Sequence, residues 1–188
     1  MTFLTDFADQ AVILPVVLAV AIALAIQGWR RGAAAWLVVV AATFTVLLGL
    51  KLTFLSCSGL FGPMDIRSPS GHVTAATVVS GGLAAMLTRR SSGVVPAAIL
   101  AAVVIGLSRL WLGAHSVPEV VLGAAVGLGG AIALPSLAGP PPVLRPAPLI
   151  LAVLVVAGLC HGLHMPAEAA IRDTAWRIAS LIPACRSP

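Results

Sequence analysis

Residues 94–112 read VVPAAILAAVVIGLSRLWL, an apolar run in which Arg109 is the only charged residue. A transmembrane helix needs about 20 mostly apolar residues to cross the hydrocarbon core of a bilayer, and this run has that length. We therefore predict a membrane-spanning helix over residues 94–112.

Similar apolar runs lie on both sides of this segment, each bounded by charge, glycine or proline. The third run is short and rich in Gly, Ala, Ser and Thr, a composition that suits close packing against other helices better than contact with lipid. We expect that run at the centre of the fold. The predicted fold is all-α, an integral membrane bundle of six transmembrane helices near residues 11–28, 34–55, 73–88, 94–112, 118–135 and 147–164.

The composition supports a membrane protein, because 60% of the residues are hydrophobic and only 9% are charged. Soluble domains draw ~45–50% of their residues from the apolar set, and one globular core could not bury this excess. We predict a six-span membrane domain over residues 1–165 and an amphipathic tail on the outer membrane interface over residues 166–188. The apolar stripe of that tail comprises Ile171, Ala175, Ile178 and Ile182.

The net charge of +5 comes from arginines spread between the apolar runs, so no nucleic-acid-binding face is expected. Arg30-Arg31, Arg89-Arg90 and Arg145 fall in the first, third and fifth loops, which share one side of the membrane. The positive-inside rule places those loops in the cytoplasm and places loops two and four, with both termini, outside. We expect a bacterial inner (plasma) membrane protein with its polar site on the periplasmic or outward face.

Three cysteines, Cys57, Cys160 and Cys185, lack metal-ligand spacing, so no zinc site is predicted. All three fall near the predicted outer face, where an oxidising periplasm would permit a disulfide. Free thiols packed in helix ends fit the sequence equally well, and the sequence assigns no pair.

Polar residues converge on that same face. Arg67 to His72 precede the third span, Arg109 ends the fourth, and His115 and Glu119 open the fifth. Charged groups at membrane depth are costly, so those retained at helix ends are functional candidates. The helix that begins at Gly71-His72 offers free backbone N–H groups to an anion, and an arginine can hold two phosphate oxygens. The two histidines can supply a nucleophile and an acid, with Glu119 fixing the tautomer of His115.

Two motifs carry a resemblance to a known family. Pro69-Ser70-Gly71-His72 resembles the PSGH motif of the type 2 phosphatidic acid phosphatase superfamily, and Ser108-Arg109 with His115 and Glu119 resembles its SRxxxxxHxxxD motif. The resemblance covers residues 51–123. It implies that His115 attacks phosphorus and His72 protonates the leaving group, and it implies no metal or other cofactor. By the same resemblance, the phosphate oxygens are bound by Ser70, Gly71 and Arg109.

The chain departs from the family pattern at two points. Glu119 stands where the family usually has Asp, and the first motif, KxxxxxxRP, retains Lys51 but has Ser58-Gly59 in place of Arg-Pro. Lys51 is the only lysine and stays a candidate phosphate ligand, with a snorkelling anchor as the alternative. Arg67 could replace the missing arginine, or could be a loop charge paired with Asp65. Structural roles are also open for Ser70 as a helix cap and for Glu119 in a capping box with Ser116.

These features predict a metal-independent membrane lipid phosphate phosphatase that acts through a phosphohistidine on a lipid phosphate or polyprenyl diphosphate at the outer leaflet. A lipid-to-lipid phosphotransferase is the alternative enzyme. A non-catalytic lipid-phosphate binder or transporter of the same fold is the alternative from another class. The expected partners are the lipid substrate and the membrane, with the oligomeric state left open.

Overall fold

The computed structural model describes residues 3, 6–57, 66–88, 91–182 and 185. Within these ranges the regular structure is helical throughout and contains no β-strand. A short 3-10 helix spans Ser91–Gly93. The α-helices are α1 (Gln10–Ile26), α2 (Arg30–Ser56), α3 (Gly71–Thr88), α4 (Val94–Trp111), α5 (Val117–Ala138), α6 (Pro146–Cys160) and α7 (Ala167–Leu181).

The six predicted spans coincide with α1 to α6 to within a few residues. Among the described helices, α2, α3, α4 and α5 are long and apolar enough to cross a membrane. The apolar helices α1 and α6 have only 17 and 15 residues. At 1.5 Å per residue, 17 residues extend roughly 25 Å, slightly less than the hydrocarbon core. The all-helical fold is therefore confirmed for the described residues, and four of its helices can cross a membrane. Six complete crossings stay a prediction.

Helix α3 lies at the centre of the bundle, as predicted, and is the most buried of the four candidate spans. Its small residues let α5 approach closely. A Cβ atom added at Gly127 of α5 would lie 2.6 Å from the Thr74 carbonyl oxygen, and one added at Gly81 would lie 2.6 Å from Ala131 Cβ. Substituents larger than hydrogen at these positions would force the helices apart.

The largest apolar core lies where α1 and α2 pack against α3. At its centre Trp36 is fully buried, and its indole N–H donates a hydrogen bond of 2.9 Å to the Val17 carbonyl oxygen. Burial of this aromatic side chain with its donor satisfied fixes α1 against α2.

Two predicted basic loops lie at the same end of the bundle. Arg31 Nε donates to the Leu137 carbonyl oxygen over 3.2 Å, and the Arg145 backbone N–H donates to Gln27 Oε1 over 2.7 Å. The Arg89-Arg90 pair lies outside the described residues. The segment before α3 and the segment between α4 and α5 lie at the opposite end of the helices, so the polar residues and the basic loops are separated along the bundle axis.

The tail helix α7 packs against α2 through part of its predicted apolar stripe. Ala175 is buried and its carbonyl oxygen accepts a hydrogen bond of 3.1 Å from Ser56 Oγ. A disulfide joins Cys57, next to the end of α2, to Cys185, while Cys160 is a free thiol. The tail is thus fastened to the polar end of the bundle. Its placement at a membrane interface stays a prediction.

Candidate functional site

The Glu119 carboxylate connects the segment before α3 to the start of α5. Its Oε1 atom accepts backbone N–H bonds from Arg67 at 2.8 Å and Ser68 at 2.7 Å. Its Oε2 atom accepts the Ser116 N–H at 3.1 Å and lies 2.9 Å from His115 Nδ1. The capping box with Ser116 is therefore formed, but it is only one part of what this carboxylate does.

The bond to Glu119 sets the tautomer of His115. An ionised carboxylate only accepts hydrogen bonds, so neutral His115 carries its proton on Nδ1 and its lone pair on Nε2. Burial lowers the pKa of His115 and outweighs the carboxylate of Glu119, which raises it. His115 is consequently a neutral imidazole near pH 7. Glu119 is one methylene longer than the Asp of the family pattern, and its carboxylate nevertheless lies at hydrogen-bond distance from the ring.

Ser70 directly precedes α3 and contacts the backbone of Glu119. Its backbone N–H donates to the Glu119 carbonyl oxygen over 3.0 Å, and a Cβ atom added at Gly123 would lie 2.6 Å from the Ser70 carbonyl oxygen. Ser70 Oγ is buried and has no hydrogen-bond partner within the described part of the chain. The hydroxyl therefore does not cap α3. An unsatisfied buried hydroxyl is costly unless a ligand completes it.

Arg109 provides a second buried donor of this kind. Its Nε atom, in the last turn of α4, also lacks a hydrogen-bond partner among the described residues. His72, in the first turn of α3, interacts electrostatically with both Arg109 and His115. The structure thus brings together the predicted residues Ser70, His72, Arg109 and His115 at one end of the bundle.

Asp9, which caps α1, lies beside His72 and was not predicted as a site residue. Its Oδ2 atom is 3.8 Å from His72 Nε2, beyond hydrogen-bond distance but within range of electrostatic attraction. The other oxygen accepts the Ala11 backbone N–H at 2.8 Å. Asp9 therefore interacts with His72 electrostatically, without a hydrogen bond between them.

Lys51 is not a snorkelling anchor in this structure, because only 1% of its side chain is exposed. Its Nζ atom donates to Ser68 Oγ at 3.1 Å and to both carboxylate oxygens of Glu168, at 2.7 and 2.8 Å. A Cβ atom added at Gly71 would be 3.7 Å from Lys51 Cε, in ordinary contact, so the lysine runs beside the start of α3. Lys51 and Gly71 are therefore neighbours.

Glu168, from the first turn of α7, is the main site residue that the sequence did not reveal. Burial favours the neutral form of its carboxyl, but the charge and hydrogen bonds of Lys51 outweigh burial and lower the pKa of Glu168. It is therefore ionised at neutral pH. One signal was available: a lone lysine inside an apolar span needs a counter-ion, and the chain has only two glutamates.

Arg67 occupies the rim of the site with its side chain exposed to solvent. It lines a cavity of about 380 Å³ together with His115 and Glu119, and α7 contributes Arg172 and Trp176 to the lining of the same cavity. The proposed partner Asp65 lies outside the described residues. Arg67 and Arg172 thus both line this cavity. Either could supply the positive charge of the arginine that is missing from the first motif.

A family model described as PAP2 superfamily matches residues 55–139. This match includes both motifs and supports membership of the type 2 phosphatidic acid phosphatase superfamily, which suggests phosphatase-type activity on phosphate esters. No curated protein and no solved structure matches the chain. Lys51 and Glu168 lie outside the matched segment, so their pairing is a feature of the structure and not of the family match.

Proposed function

We propose that this protein is a metal-independent membrane lipid phosphate phosphatase that acts through a phosphohistidine at His115. The observation that carries the proposal is the 2.9 Å bond between His115 Nδ1 and Glu119, which leaves Nε2 as the nucleophilic atom. Two buried donors without partners among the described residues, Ser70 Oγ and Arg109 Nε, accompany it. Unsatisfied donors beside a nucleophile suit an anionic substrate.

The chemistry follows from these positions in two balanced steps. His115 Nε2 attacks phosphorus while the bond from phosphorus to the leaving oxygen breaks, and protonated His72 gives its proton to that oxygen. Water then attacks the phosphohistidine, His72 takes a proton from the water, and the N–P bond breaks to release phosphate. Glu119 stabilises the positive charge that the His115 ring acquires in the first step.

The phosphate oxygens would be held by donors that the fold already orients. Arg109, Ser70 Oγ and the free N–H groups at the start of α3 can bind the charge that spreads over the equatorial oxygens. Arg67 and Arg172, which both line the cavity, are the cations available in place of the missing arginine of the first motif. Preorganised donors of this type supply most of the rate in phosphoryl transfer.

A lipid substrate is supported by an apolar groove between α1, α2 and α7. The groove has a volume of about 690 Å³, and apart from Gln10 and Lys51 its walls are hydrophobic side chains such as Leu14, Phe44 and Ile171. Lys51 also borders the candidate phosphate site. A lipid could therefore place its hydrocarbon in the groove and its phosphate at the histidines.

An outward-facing site is supported by the disulfide between Cys57 and Cys185, because such bonds persist in oxidising compartments. The site lies at the end of the bundle opposite Arg31 and Arg145, which the positive-inside rule assigns to the cytoplasm. We therefore place the reaction at the outer leaflet of a bacterial plasma membrane.

The test is phosphate release by the purified protein in detergent with a chelator present, over a panel of lipid monophosphates and polyprenyl diphosphates. We expect metal-independent release that His115→Ala abolishes. His164→Ala is the matched control, because His164 is exposed and its Nε2 lies 3.2 Å from Asp6, away from the cavity. Full activity in H115A would overturn the mechanism. Transfer of labelled phosphate to an acceptor lipid would identify a phosphotransferase, and binding without turnover would identify a lipid-phosphate binder.

A further inference from the structure

The ammonium group of Lys51 has no free donor in this structure. Its three N–H bonds are matched by Ser68 Oγ and the two oxygens of Glu168, at 3.1, 2.7 and 2.8 Å. The lysine is also only 1% exposed. A substrate phosphate can therefore reach the Lys51 charge only if the Glu168 carboxylate leaves.

Glu168 lies within electrostatic range of several cationic groups and not of Lys51 alone. Its carboxylate interacts electrostatically with Arg109, His72 and His115 as well as with Lys51. Its Oε1 atom also lies 3.4 Å from Ser68 Oγ. A carboxylate presents two oxygens to these cations, as one edge of a phosphate group would.

The two members of the ion pair differ in their freedom to move. The side chain of Lys51, on α2, is buried, whereas 43% of the Glu168 side chain is exposed. The backbone around Glu168 is held on one side by the Met165 N–H, which donates to Asp9 Oδ1 over 3.3 Å, and on the other by the packing of Ala175. Rotation of the side chain toward solvent would release Lys51 without moving α7.

We propose that Glu168 is a built-in competitor for the substrate phosphate. In the resting protein it neutralises Lys51, and on binding the phosphate displaces it, so that its carboxylate turns to solvent. This inference rests on the proposed function, because it takes the cluster around His115 as the phosphate site. Glu168 thereby sets how tightly the enzyme holds phosphate, and it limits retention of the product.

The alternative is a permanent ion pair in which Glu168 only stabilises buried Lys51. The two accounts predict opposite effects of removing the charge. Loss of a permanent partner leaves a buried cation uncompensated and disrupts the site. Loss of a competitor leaves that cation available to phosphate and strengthens phosphate binding.

The experiment measures the Kd of inorganic phosphate by calorimetry for the full-length protein in detergent, with and without Glu168→Gln. Glutamine keeps the shape and an accepting oxygen but removes the charge. Asp173→Asn is the matched control, because it makes the same charge change on an exposed part of α7. We expect E168Q to lower the Kd roughly tenfold, the equivalent of about 1.4 kcal/mol, and D173N to leave it unchanged. An unchanged or higher Kd in folded E168Q would overturn the proposal.

A second variant keeps the test decisive if E168Q fails to fold. Glu168→Asp retains the charge but shortens the side chain, which withdraws the carboxylate from Lys51. A smaller fall in the Kd supports competition, and a rise contradicts it. Because calorimetry requires no turnover, this result is independent of the phosphatase assay. Absent phosphate release would refute the proposed function, while an unchanged Kd beside full activity would refute only the role of Glu168.

Discussion

Glu119 Oε2 accepts a hydrogen bond of 2.9 Å from His115 Nδ1–H. Oε1 of the same carboxylate accepts hydrogen bonds from the backbone N–H groups of Arg67 and Ser68. One side chain therefore orients the proposed nucleophile and fixes the segment that leads into α3. The geometry of the phosphate site and the tautomer of His115 depend on the same group.

Replacing Glu119 by Gln tests this double role. The amide is nearly isosteric but is no longer an obligatory acceptor, so His115 can adopt the tautomer with its proton on Nε2, which is not nucleophilic. We expect kcat to fall by roughly 10²-fold or more. Steady-state phosphate release measures the effect, with the melting temperature in detergent as a check on folding. A folded variant with unchanged kcat would show that Glu119 acts only as a structural cap.

The pH dependence of kcat/KM should report the lowered pKa of His115. Because burial lowers this pKa below 6.5, the reactive neutral imidazole should persist below that pH, and activity should fall only as the pH drops through the lower value. E119Q removes a group that raises this pKa, so its acid limb should lie at still lower pH. The substrate phosphate titrates equally in both proteins, which makes the displacement between the two profiles the decisive quantity. A shift of the limb to higher pH in E119Q would contradict the assignment.

The sequence predicts those parts of the fold and site that depend on short stretches of residues, namely apolar runs and motif spacing. Apolar runs located α1 to α6, and motif spacing along neighbouring helices brought His72, Arg109 and His115 together. The Lys51–Glu168 pair was not predictable in this way, because its partners are 117 positions apart and belong to different packing surfaces. Hydropathy and helical periodicity describe one element at a time, and they contain no information about which element α7 contacts.

The disulfide shows the same limit. Three cysteines allow three single pairs, and all of them lay near the same predicted face. Only the docking of α7 on α2, through Ala175 and Ser56, decides that Cys185 meets Cys57. The approach of Asp9 to His72 likewise depends on where α1 packs and not on any motif in the sequence.

Gly123 offers a test of how closely α5 must approach the phosphate segment. A Cβ atom there would lie 2.6 Å from the Ser70 carbonyl oxygen, which is backbone and cannot rotate away. We expect Gly123→Ala to destabilise the protein by about 1–3 kcal/mol and to reduce activity by displacing Ser70. Thermal unfolding in detergent and phosphate release are the two measurements.

Gly129→Ala is the matched control on the same helix, because nothing lies within 4 Å of the added Cβ atom. Alanine favours helix over glycine by roughly 0.5–1 kcal/mol, so this variant should be neutral or slightly more stable. Equal stability and activity of the two variants would mean that α5 and Ser70 can move apart without cost. The phosphate-binding donors would then not depend on this close contact.

Reduction of the disulfide tests whether α7 needs its covalent tether. Cys57 and Cys185 are 128 positions apart, so the bond restricts the unfolded chain strongly, and its removal should cost about 2–4 kcal/mol. In Cys185→Ser we expect a lower melting temperature and faster hydrogen exchange in α7, measured by mass spectrometry. Cys160→Ser, which removes the free thiol, should change neither quantity.

A loosened α7 also holds Glu168 less firmly against Lys51. The Kd of phosphate should therefore fall in C185S, and it should fall no further in C185S/E168Q than in E168Q alone. Additive effects in the double variant would mean that the disulfide influences phosphate binding by a route other than Glu168.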